Sequence, residues 1–185
     1  MRAVIYLQSS APLGPLFGKI MSRLFPEGVE LDEKDNGIYR LSLEKGIEDL
    51  SKFLASYKAL AEDAPGGLRA IVSPSEKLDL SPLLGEVGDG DIAYLYELED
   101  NPLVEEMVGN SLAGFDMEIL QSVKIYLEAG RSPALAGLRL YVHRNTVVYR
   151  ISQFIRKTGY DLSRFDTGIL LLSIIKKLDK KKEDY

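Results

Sequence analysis

Apolar positions along this chain follow two different periods. Over the first hundred residues, short runs of strand formers alternate with stretches spaced as helices; after Asn101 only the helical spacing remains. Ala3–Leu7 reads as a strand, and in Pro15–Phe25 the residues Leu16, Phe17, Ile20, Met21 and Leu24 fall at helical intervals. Val29–Leu31 and Ile38–Leu43 read as two strands around Asp35-Asn36-Gly37, a hairpin signal because Asn-Gly accepts the positive φ such turns need. Ile47–Ala61 reads as a helix with Leu50, Phe53, Leu54, Tyr57 and Leu60 on one stripe, stopped by Pro65-Gly66-Gly67. Leu68–Val72 and Ile92–Leu98 are the last strands, with a helical turn over Ser81–Glu86 between them. The order β-α-β-β-α-β with one added strand predicts a ferredoxin-like split βαβ sheet with helices on one face.

The second part reads as all helix. Asn101-Pro102 opens a connecting segment, 101–115, with helical character around Leu103–Val108. Asp116 is placed to cap a helix over Met117–Leu127, which Gly130 ends. Pro133–Leu140, Arg144–Thr158 and Thr167–Leu178 follow, and the tail Lys180–Tyr185 is expected to fray. The stretch Ile169–Leu178 is apolar on nearly every side, so it is either buried within one copy or, the favoured reading, partly used in a seam between two. The expected organisation is therefore α+β: an α/β sensor or dimerisation domain over 1–100, a linker over 101–115, and a helical domain over 116–185.

Composition narrows the chemistry. The 185 residues include no Cys, which excludes disulfides, thiolate nucleophiles and Cys-based zinc sites. The opening MRAVIYLQSS turns polar too soon for a signal peptide, and GILLLSII is far short of the roughly 18 residues that span a bilayer, so a cytoplasmic, non-membrane protein is expected. The net charge of −5 averages two unlike parts. Residues 1–110 hold 10 Lys+Arg and 20 Asp+Glu, whereas residues 111–185 hold 13 and 8. An acidic module joined to a basic one points the basic part toward a polyanion. Arg131, Arg139, Arg144, Arg150, Arg156 and Lys157 lie in one window without a single acid.

That window has the form of two helices joined by a tight turn. Ser132 and Pro133 suit a helix start. Gly137 is costly within a helix and makes sense where another element approaches closely. His143 sits where its ring can cap the next helix. In that helix Val147, Ile151, Phe154 and Ile155 form one apolar stripe, and Asn145, Tyr149, Ser152 and Arg156 form the opposite face. An outward face of hydrogen-bonding and cationic groups, with no carboxylate, suits the major groove of DNA. Asn145, Tyr149 and Ser152 are the candidate base readers. Arg131, Arg139, His143, Arg144, Thr146, Arg150 and Arg156 are the candidate backbone contacts.

The string LRLYVHRNTVVYRISQFIRKTGYDL closely resembles the C-terminal helix-turn-helix domain of PucR/CdaR-type bacterial regulators. The family's Val-His-x-Asn-Thr segment and the tyrosine, arginine and aliphatic residue after it correspond to Val142, His143, Asn145, Thr146, Val147, Tyr149, Arg150 and Ile151. Its Thr-Gly-x-Asp-Leu segment corresponds to Thr158, Gly159, Asp161 and Leu162. Gly137 followed by Leu138-Arg139 replaces the family's small alanines, and Ser132 replaces its Asn. The resemblance, over about Asp116–Leu178, implies sequence-specific binding of double-stranded DNA by a homodimer. Such regulators often place a degenerate GGDEF-like domain ahead of this one, and the sheet expected over 1–100 is compatible with that.

No enzyme is expected. The hairpin LDEKDNGIYR lacks a cyclase signature, the sole histidine, His143, has no nucleophile-base pattern around it, and Gly85–Gly90 lacks the Lys-Ser/Thr of a phosphate loop. The acids of Asp32-Glu33-Lys34-Asp35 read as a solvated tip. Neither cofactor nor metal is called for, and any small-molecule effector is assigned to the N-terminal domain. The competing reading is a protein-interaction or ligand-sensing module whose helix-turn-helix no longer binds DNA.

Overall fold

A computed structural model of the protein describes residues 3–13, 15–34, 37–64 and 66–183. The chain divides into two compact units, residues 1–94 and 95–185.

The first unit runs β1 (Ala3–Ser9), α1 (Pro15–Leu24), β2 (Glu30–Glu33), β3 (Ile38–Leu43), α2 (Ile47–Glu62), β4 (Leu68–Ser73) and β5 (Ile92–Tyr94). The sheet order is β2-β3-β1-β4-β5. Strand β1 pairs antiparallel with both neighbours, so Ile5 stands opposite Leu41 on one side and Val72 on the other. The crossovers β1-α1-β2 and β3-α2-β4 each skip one strand, which is the split βαβ arrangement read from the sequence. Strand β5 adds to the edge in parallel with β4. Ala3, Ile5 and Leu7 share one face of β1 and enter a core with Phe17 and Met21 of α1 and Phe53 and Tyr57 of α2. The other face is covered as well. Val4 and Tyr6 are buried there, the Tyr6 hydroxyl donates to the Leu78 carbonyl at 2.8 Å, and a 3-10 turn at Ser81–Glu86 buries Leu83 and Leu84.

Several boundaries shift from the sequence reading, and two of the shifts have a physical cause. Strand β2 begins at Glu30, not Val29, and all four of its residues are exposed, so it lacked the apolar alternation that marks a strand. Asp35 and Asn36 of the expected turn, and Pro65 of the expected stop, lie outside the described residues; Gly37 has the anticipated positive φ of 70°. The apolar run from Ile92 to Leu98 is divided: β5 ends at Tyr94, and Leu95–Leu98 turn into a 3-10 segment that starts the second unit.

The second unit contains α3 (Pro102–Leu112), α4 (Met117–Glu128), α5 (Pro133–Leu140), α6 (Arg144–Thr158) and α7 (Phe165–Glu183). Helix α3 occupies most of the segment expected to connect domains. Asn101 caps it, its side chain accepting from the Leu103 N–H at 2.9 Å, and Val104, Val108 and Leu112 bury one stripe. Helix α7 buries Leu170, Leu171, Ile174 and Ile175 within the unit, so the stripe considered for a dimer seam is largely used inside one copy.

Tyr160 sits in the centre of this unit, fully buried, its ring stacked 6.0 Å from that of Phe154 and its hydroxyl 2.9 Å from Ser111 Oγ. Burial pushes its hydroxyl from the ordinary 10.0 up to about 12. The unfolded chain therefore loses this proton first. The contribution is intact below about pH 10 and is lost as pH rises toward about 12, a change on the order of 3 kcal/mol. Urea melts on either side of that window should show the loss, and Tyr160→Phe should reduce it, the Tyr6 and Tyr57 hydroxyls, also pushed up by burial, supplying the remainder; an unchanged slope in Tyr160→Phe would refute the assignment.

Candidate nucleic-acid interface

The tight turn is built from local chain chemistry. Helix α4 ends where Gly130 takes a φ of 64° and Arg131 donates its N–H back to the Tyr126 carbonyl at 2.8 Å. Ser132 then starts α5, its Oγ accepting from the Leu135 N–H at 3.3 Å, with Pro133 in the first turn. Helix α5 stops at Tyr141, a non-glycine residue in the left-handed region with φ 55°. Its closing bonds run from Val142 N–H to the Gly137 carbonyl at 3.0 Å and from Tyr141 N–H to the Leu138 carbonyl at 3.4 Å, the paired pattern of a Schellman stop. Two residues later α6 begins. His143 is its cap: Nδ1 accepts from the Asn145 N–H at 3.2 Å, which leaves Nε2 to carry the hydrogen and donate to a ligand.

Gly137 allows this geometry. A Cβ there would lie 2.8 Å from the Val142 carbonyl oxygen and 3.2 Å from the Arg144 nitrogen, both main-chain atoms that cannot swing aside. The start of α6 thus rests directly on the backbone of α5.

Helix α6 is fixed along one side and open along the other. Val147, Ile151, Phe154 and Thr158 are buried. On one flank Arg150 donates to Ser122 Oγ at 3.2 Å and pairs with Glu118, tying α6 to α4. Lys157 donates to the Gly114 carbonyl at 2.6 Å and stands 4.4 Å over the Phe115 ring, a cation held by both a carbonyl and an aromatic face. The opposite side exposes Asn145, Tyr149, Ser152 and Arg156 together, with Arg144 beside them at the helix start.

Residues 119–175 match the PucR C-terminal helix-turn-helix domain. Helices α4 to α7 of the second unit therefore carry a helix-turn-helix domain of the PucR kind. A 59-residue stretch is 30% identical to an uncharacterized protein, YxkF, of Bacillus subtilis (strain 168), covering 32% of this chain and 20% of that relative. The chain thus spans only a fifth of that relative's length. At the level of structure, the regulator of polyketide synthase expression from Bifidobacterium adolescentis is a distant likeness, 15% identical with a TM-score of 0.43, over 98% of this chain and 81% of that one. No helix among the described residues is long and apolar enough to cross a membrane, and no cluster of potential metal ligands occurs among them.

Within the PucR-type domain, the residues expected at an interface fall into three groups. Asn145, Tyr149, Ser152 and Arg156 converge on the open side of α6, and Arg139, His143 and Arg144 are exposed around the turn. Thr146 is half-buried at the helix start. Arg131 and Arg150 stand apart, against expectation. The Arg131 guanidinium donates to the carbonyls of Leu162 at 2.6 Å and Arg164 at 2.9 Å, in space that Gly168 leaves open, and Arg150 is held by α4 as described. Both cations brace the fold, Arg131 through the carbonyls of Leu162 and Arg164 and Arg150 through the Ser122 hydroxyl and the Glu118 carboxylate. One residue on the open side was not anticipated: Val148, 47% exposed between Asn145 and Ser152. The paired valines at 147 and 148 carry the signal, since adjacent helical positions lie about 100° apart and cannot both face the core.

Proposed function

We propose that this protein is a DNA-binding transcription regulator, with α6, residues 144–157, entering the major groove. The observation that supports this is the open face of α6. Asn145, Tyr149 and Ser152 offer donors and acceptors for base edges, Arg156 and Arg144 offer charge for phosphates, and the sequence from Arg131 to Tyr160 contains no Asp or Glu to repel the backbone. Arg139, His143 and Thr146 complete the phosphate contacts around the turn. Operators of such readers are paired half-sites, so the protein is read as a homodimer in the cytoplasm, with the acidic N-terminal unit serving pairing or the sensing of a small effector.

Selection of bound duplexes from a random library, with anisotropy at two salt concentrations, tests the reading. An enriched motif with steep salt dependence is expected. Asn145→Ala should relax one base pair at a cost of about 1–3 kcal/mol, while Arg156→Ala should weaken all sequences alike and reduce the salt slope by about one. Equal losses for Asn145→Ala on selected and random DNA would remove it as a base reader. Leu135, Leu138 and Tyr141 favour a second reading, a protein-interaction module, since they are 51%, 74% and 96% exposed along the outside of α5 and its stop. That reading gains if DNA binding is absent at low salt.

A further inference from the structure

Val148, 47% exposed, is an aliphatic side chain set among the exposed polar residues of the α6 face. Val147 supplies the buried contact at this turn of the helix. Valine is a weaker helix former than the long polar residues that usually fill a solvent-facing site, so an exposed valine in mid-helix is unfavourable for α6 on its own. Its surroundings are specific. Val148 follows Asn145 by three residues and precedes Ser152 by four, so the three side chains share one surface, with Arg144 at the preceding turn. Thymine alone among the standard bases presents a methyl group in the major groove, and apolar side chains recognise it by contact. Along the helix axis Val148 stands about 4.5 Å beyond Asn145, slightly more than the base step of about 3.4 Å.

Resting on the DNA-binding reading above, we propose that Val148 is a specificity-determining residue that packs against the C5-methyl group of a thymine within a base pair or two of the position read by Asn145. The polar side chains of the face satisfy hydrogen-bonding edges, and Val148 supplies the apolar contact they cannot make.

The test uses the full chain and the motif enriched from the random library. Each thymine of the motif is replaced in turn by uracil, which deletes the methyl group and leaves the base-pairing edge intact. At one position the parent protein is expected to bind uracil about fourfold more weakly, the weight of one buried methyl group. Val148→Ser, which removes both valine methyls at an exposed site, should bind thymine and uracil there equally, and Val148→Ile should restore the preference. Unchanged affinity of Val148→Ser for random duplexes, with an unchanged salt slope, shows that the domain remains folded. A motif whose uracil substitutions cost the parent and Val148→Ser the same, or cost neither anything, overturns this assignment and leaves DNA binding standing. Failure to enrich any motif overturns the DNA-reading proposal and this inference with it.

Discussion

Gly137→Ala is expected to destabilise the C-terminal unit and, with α6 entering DNA as proposed, to abolish site-specific binding, although it places a better helix former in α5. On propensity alone the change would gain about 1 kcal/mol. The added methyl, however, meets the Val142 carbonyl oxygen at 2.8 Å and lies 3.2 Å from the Arg144 nitrogen. Overpacking against atoms that cannot rotate away costs about 1–3 kcal/mol, and here the only relief is to lift the start of α6 off α5. That movement also breaks the Val142-to-Gly137 closing bond and shifts His143, the cap of α6. Hydrogen exchange should therefore show lost protection in the first turn of α6, together with a lower urea midpoint. A rise in stability with unchanged protection would show that the turn has slack, contrary to the contact described.

The second large effect is expected from Phe154→Ala. Phe154 is fully buried beneath the open face of α6, 5.2 Å from the Phe115 ring and 6.0 Å from that of Tyr160. Truncating a buried phenylalanine costs about 3–5 kcal/mol through lost transfer energy and the cavity left behind. Against a total stability of about 5–15 kcal/mol for an ordinary domain, the C-terminal unit is left marginal or unfolded. Far-ultraviolet circular dichroism in urea measures this as a large fall in midpoint. Phe154→Leu, which keeps most of the volume, should lose far less. If Phe154→Ala melts within about 1 kcal/mol of the parent, the three aromatic rings do not anchor α6.

What could be read in the sequence was what depends on neighbours along the chain. The cap at Ser132, the capping ring of His143 and the close approach at Gly137 are all interactions over a few residues, and residue type and spacing state them directly. The outward group of Asn145, Tyr149, Ser152 and Arg156 follows from helical periodicity alone. The split βαβ sheet was legible because alternating strand and helix patterns leave few topologies open. Arg131 and Arg150 were misplaced because charge indicates only a wish for partners. Their partners lie at Leu162, Arg164, Glu118 and Ser122, more than twenty-five residues away in each case, and no local rule brings these together. Helix α3 was underestimated for a related reason. Its stripe of Val104, Val108 and Leu112 is interrupted by Glu105, Glu106, Gly109 and Asn110, and its stability comes from packing within the unit more than from its own composition.

Strand β2 has a consequence for how copies of this protein meet. It is the outer strand of the sheet beyond β3, its residues Glu30, Leu31, Asp32 and Glu33 are all exposed, and three of the four are acids. A second sheet extending this border would have to lie about 4.8 Å away, setting one row of carboxylates against another, and like charges facing across strands are destabilising. Asp32 is paired with Arg40 at 3.7 Å, and the further acids discourage pairing through this border, a device that sheet margins commonly use. Continuous sheets running from copy to copy are disfavoured through this side, and any self-association is left to other surfaces of the molecule.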